Sequence, residues 1–135
     1  MMVLVLDRRD PIPEDWSTWV ETYSAAGVEH GVRRLLVVSS GGGPNARQRK
    51  ELVTRVVARL GHVAEEYTTA VCGNSPIVRS ITAAIGWLSG AHGMRSFADE
   101  RRDEALAFLK VPALLRPEIL ATVKRFEAEL RARER

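Results

Sequence analysis

Leu35-Leu36-Val37-Val38 is apolar at every position. A strand with one wet face alternates apolar and polar residues. A run apolar on both sides fits a central strand covered by helices on both faces. The rest of the chain falls into place around it. Met2–Leu6, Val32–Ser39, about Thr68–Cys72 and Gly93–Ala98 read as strands, and helical periodicity fills the intervals. From Asp15, the residues Trp16, Trp19, Val20 and Tyr23 share one helix face, which Gly27 or Gly31 ends. Asn45 with Gln48 three residues on is a capping-box pattern, followed by the stripe Leu52, Val53, Val56, Val57 and Leu60. Ser75-Pro76 opens a third helix, Asp99 caps a fourth, and a last one starts near Pro117.

This order predicts an α/β fold, a four-stranded mostly parallel sheet with helices on both faces, plus an extra C-terminal helix. Residues 1–112 make the α/β domain. Residues 113–135 make an amphipathic helix packed on that domain or on a partner. The stripe of this helix is Ile119, Leu120, Val123, Phe126 and Leu130, and Lys124, Arg125, Glu127, Glu129 and Arg131 form a solvated charged face.

Charge narrows the function classes. Residues 1–30 hold two Arg against six acids, a net −4, whereas residues 31–60 hold seven basic groups against Glu51, a net +6. Such a local basic segment suits an anion-facing patch and argues against a nucleic-acid binder, which is basic over most of one face. No apolar run approaches the roughly 20 residues of a membrane span, and the N-terminal apolar run is too short for a secretory signal core. These features place the chain as a soluble, cytoplasmic, bacterial-looking protein.

Catalytic chemistry is hard to assemble from these residues. The loop after the central strand, Gly41-Gly42-Gly43-Pro44, lacks the Lys-Ser/Thr of a nucleotide P-loop and the spacing of a dinucleotide fingerprint, so no cofactor is expected. Cys72 is the single cysteine, and six residues separate it from Arg79, one more than a phosphatase loop takes. A buried strand-end thiol is the simpler account. His30, His62 and His92 are isolated from one another, which leaves no metal spacing. Two binding features stand out instead. Gly41, Gly42, Gly43 and Asn45 bring backbone N–H groups to a helix start, with Arg49 on the inward side of its first turn, an arrangement suited to a small anion or a lipid headgroup. The third helix carries Arg79, Ala83 and Trp87 on its outer face, which is either covered by the chain's own C-terminal helix or serves as a partner or homodimer contact.

The stretches LLVVSSGGGP, RQRKELVTRVVARL, TTAVCGN and FADERRDEALAFL, between Arg34 and Leu109, resemble the SpoIIAA-like branch of the STAS superfamily, domains related to anti-sigma-factor antagonists. Phe97, Glu104-Ala105 and Phe108-Leu109 carry the resemblance at its C-terminal end. It implies a regulatory or scaffold domain without catalytic residues that acts by binding a protein partner. In some of these domains a serine at a helix start is phosphorylated, within an Asp-x-Ser-Gly motif. Ser40-Gly41 matches its last two positions, Val38 stands where the Asp belongs, and Ser39 is the neighbouring hydroxyl. Related folds that bind lipids in a pocket beneath their helices keep the anionic-ligand alternative open.

Overall fold

The computed structural model describes residues 1–60, 67–74, 76 and 93–133. Strands β1 (Met2–Leu6), β2 (Arg34–Ser39), β3 (Thr68–Cys72) and β4 (Met94–Phe97) form one sheet in the order β1-β2-β3-β4. All three pairings are parallel. Helix α1 (Pro13–His30) joins β1 to β2, and α2 (Ala46–Leu60) follows β2. After β4, a 3-10 turn at Asp99–Arg101 leads into α3 (Arg102–Phe108), and a second at Ala113–Leu115 leads into the long α4 (Arg116–Arg133).

The apolar run of β2 divides between two cores, as its pattern requires. Leu35 and Val37 join Trp16, Val20 and Tyr23 of α1 and Leu52 and Val56 of α2. Leu36 and Val38 join Ala70, Cys72, Leu106, Leu109 and Val123 on the opposite face. The strand order explains this division. Right-handed crossovers between successive neighbours place their helices on one side of the sheet. Both described crossover helices, α1 and α2, pack there, and the other face is covered by α3 and α4, which follow the last strand. The C-terminal helix thus packs on the domain itself, with Val123 fully buried.

Local signals set the element ends. Asn45 and Gln48 close the expected capping box, Gln48 N–H donating to Asn45 Oδ1 (2.9 Å) and Asn45 N–H to Gln48 Oε1 (3.0 Å). Three boundaries differ from expectation. Helix α1 starts at Pro13 rather than Asp15, because a proline in the first turn has no N–H to leave unsatisfied. Strand β2 starts at Arg34 rather than Val32, because Val32 N–H turns back to Ala26 O (3.2 Å) and closes α1. Asp99 opens a 3-10 turn and does not cap the helix; its carboxylate binds Arg102 instead.

Candidate functional site

Ligands of open parallel sheets gather at the carboxyl ends of the strands, most readily where the strand order reverses. This sheet has no reversal, so its loops lie side by side without a switch-point crevice. The β2–α2 loop lies against the loop after β1. Ser40 N–H donates to Leu6 O (3.0 Å) and Gly42 N–H to Asp7 O (2.7 Å). Gly43 N–H reaches Asp10 Oδ1 at 3.5 Å. Ser39 is buried; its hydroxyl donates to Gly42 O (2.7 Å) and accepts from Gly41 N–H (3.1 Å). Gly41 has φ 136°, a conformation that side-chain-bearing residues rarely adopt.

These contacts bear on the expected anion cradle. The amides of Ser40, Gly41, Gly42, Gly43 and Asn45 all donate within the chain. Arg49 does turn inward, half-buried, and its Nη1 donates to Pro44 O (3.0 Å). An anion cradle needs unspent donors, and the amides of this loop are engaged. Millimolar phosphate is accordingly expected to leave the melting temperature unchanged. A rise that Arg49→Ala abolishes would restore the anion site.

Of the two serines, only Ser40 is exposed. It stands between two hollows at the sheet's carboxyl end. One, of about 180 Å³, is bordered by Asp7, Arg8, Glu127, Leu130 and Arg131; the other, of about 260 Å³, by Ser39, Asn74 and Asp99. Asn74 fixes the second rim by accepting Asp99 N–H on its Oδ1 (3.1 Å).

Beside these hollows lies a charge cluster that sequence reasoning missed. Arg102 donates through Nε and Nη2 to Asp99 Oδ1 (3.0 and 2.7 Å), and through Nη1 and Nη2 to the two oxygens of Glu127 (3.2 and 2.6 Å). Glu127, expected on the solvated face of α4, is only 13% exposed. It lies one helical turn after Val123, on the side that faces the sheet, which is the one signal the sequence offered. Burial works against the Arg102 charge, but bonds to Glu127 and Asp99 outweigh it and raise the guanidinium pKa. Glu127→Ala should cost about 2–3 kcal/mol, since it leaves a largely buried cation with one carboxylate. Urea denaturation measures this; a loss below about 0.5 kcal/mol, typical of exposed pairs, would show the bond contributes little.

Cys72 is fully buried in the second core. Burial pushes its thiol up to about 11, with the Arg102 charge lowering it and Asp99 raising it, so at neutral pH it is a protonated thiol. His30 is exposed at the end of α1, 4.0 Å from the Glu29 carboxylate. No cluster of metal-ligating side chains occurs among the described residues. His62, His92, Arg79, Ala83 and Trp87 lie outside the described residues. No helix among the described residues is long and apolar enough to cross a membrane. Comparison with protein-family models, with curated proteins and with solved structures finds no match for this chain.

Proposed function

We propose that this chain is a non-catalytic regulatory or scaffold domain of the SpoIIAA-like STAS type, cytoplasmic, which binds a protein partner through the surface around Ser40. Phosphorylation of Ser40 sets the affinity. The observation that carries this reading is the placement of one exposed hydroxyl between two hollows, on a loop pinned from both sides. A phosphate there adds about −1.5 to −2 charges at pH 7. Arg8 and Arg131 border one side of Ser40, and Asp7, Glu127 and Asp99 lie around it. The added charge would change the surface a partner meets while the pinned loop keeps its shape. The parallel sheet, and β4 ending in Phe97 with its ring 5.8 Å from that of Phe108 in α3, agree with the resemblance at the level of fold. The competing reading, an anion or lipid headgroup held by Gly41–Gly43 and Arg49, is weakened by the loop's engaged amides.

The test compares proteins cross-linked in cells to the wild type, Ser40→Ala and Ser40→Asp, with phosphopeptide mapping of the wild type. The expected result is a defined partner bound by Ser40→Ala and held at least tenfold more weakly by Ser40→Asp, with phosphate on Ser40. Identical partners and affinities for all three, with no phosphate on Ser40, would overturn the reading.

A further inference from the structure

We infer that the outer edge of β1 is a docking site for an extended peptide segment, which joins the sheet as a fifth strand and places a basic residue against carboxylates at its rim. Among the described residues, strand β1 ends the sheet and pairs with β2 alone. Leu6 directs its carbonyl toward the β2 side, where Ser40 N–H donates to it. Peptide groups of alternate residues point to opposite edges, so Val3 and Val5 turn theirs outward. Among the described residues no backbone group pairs with that edge.

Proteins blunt such edges with charge, proline or a bulge. The β1 sequence, MVLVL, has none of these. Here the edge is flanked instead. Leu4 and Leu6 face one core and Val5 the other, yet all three line one cleft of about 360 Å³. The cleft therefore wraps around the strand's edge. Ile12, Trp16 and Trp19 form its wall on the α1 side, and Leu130 and Arg133 form the α4 side. One wall residue has an unmet need: the indole N–H of Trp19 is out of water and has no acceptor among the described residues. Buried donors are nearly always paired, and a turn of the Trp19 ring toward a carbonyl oxygen brought in along the cleft would pair this one.

The walls decide the occupant. A slot between two overhanging helices admits a single extended backbone. A second copy of this chain would bring its own α1 and α4 against these. At the strand's carboxyl end, Asp7, Asp10 and Asp15 border the cleft, against Arg9 and Arg133. The excess of carboxylates favours a segment carrying Lys or Arg. Backbone hydrogen bonds would supply much of the affinity, and alternate side chains the specificity.

The test uses the full chain and an array of pentapeptides that alternate Val or Ile with Thr and carry Lys at one end or the other, read by the change in tryptophan fluorescence. Binding should fall at least tenfold when the peptide is N-methylated along one edge or its Lys is replaced by Glu. It should fall similarly in Val5→Pro, which removes an outward N–H while sparing the ladder to β2. Should Val5→Pro fail to fold, the N-methylated peptides on the wild type still decide. Ser40→Ala and Ser40→Asp should bind these peptides unchanged, which keeps this site separate from the one around Ser40. Absence of any binder at millimolar peptide, or equal binding of N-methylated peptides, would overturn the proposal. So would a dimer that Val5→Pro dissolves, since the occupant would then be a second copy.

Discussion

Trp16→Ala should destabilise the fold by about 3–5 kcal/mol, the usual cost of deleting a buried tryptophan. The side chain is 2% exposed and lies within the core between α1 and the sheet. Its ring sits 5.2 Å from that of Trp19, which stacks on Tyr23, and Tyr23 meets Tyr67 edge-on. Its indole N–H donates to Gln48 O (2.9 Å), and Gln48 Nε2 donates to Pro11 O (2.7 Å) while its Oε1 caps α2. One residue thus ties the first turn of α1 to the first turn of α2. Trp16→Phe keeps much of the packing and removes only the indole's bond to Gln48 O, a carbonyl inside α2, for a smaller cost of about 1–2 kcal/mol. In urea the midpoint should fall with the slope unchanged, in that order of severity. Equal losses in the two variants would assign the effect to the hydrogen bond rather than to the packing.

Gly42→Ala should cost about 3 kcal/mol, toward the upper end of overpacking penalties, although it adds a single methyl group. A Cβ there would overlap the carbonyl oxygens of Arg9 and Asp7. Both are backbone atoms, so no side chain can swing aside. Relief requires the two loops to part, which breaks the Gly42 N–H bond to Asp7 O and loosens the loop that presents Ser40. Gly41→Ala fails for another reason: it has open space but a φ of 136°, a strain of about 1–3 kcal/mol. Thermal melts of the two variants separate steric overlap from backbone strain. Wild-type stability in Gly42→Ala would mean the loops are not in contact.

What could be read from the residues was whatever depends on near neighbours. The doubly apolar Leu35–Val38 run marked a strand covered on both sides, and the Asn45–Gln48 spacing marked the start of α2. Both are as expected. Strand order escapes such reading, because each βαβ unit has the same local pattern wherever its strands lie in the sheet. The spent amides of Gly42 and Gly43 escaped too, since their acceptors are the Asp7 carbonyl and the Asp10 carboxylate, far back in the sequence. Glu127 seemed one more charge on a polar helix face because its partner Arg102 is 25 residues away. A cleft along β1 needs two helices far apart in sequence to flank the same edge.

Among the described residues, α3 and α4 are what covers one sheet face, and this has a consequence for the growing chain. Synthesis delivers the N-terminal residues first, at about 5–20 residues per second. Strands β1 to β3 can pair and receive α1 and α2 as they emerge, because each pairing joins successive strands. Of the described residues that cover Leu36, Val38, Ala70 and Cys72, Leu106 and Leu109 are made next and Val123 last, so this apolar face waits for partners made after β4. For a period on the order of seconds the nascent sheet is half a sandwich, able to stick to any apolar surface nearby. The last helix closes that interval, and chaperone demand should rise with any delay in its arrival.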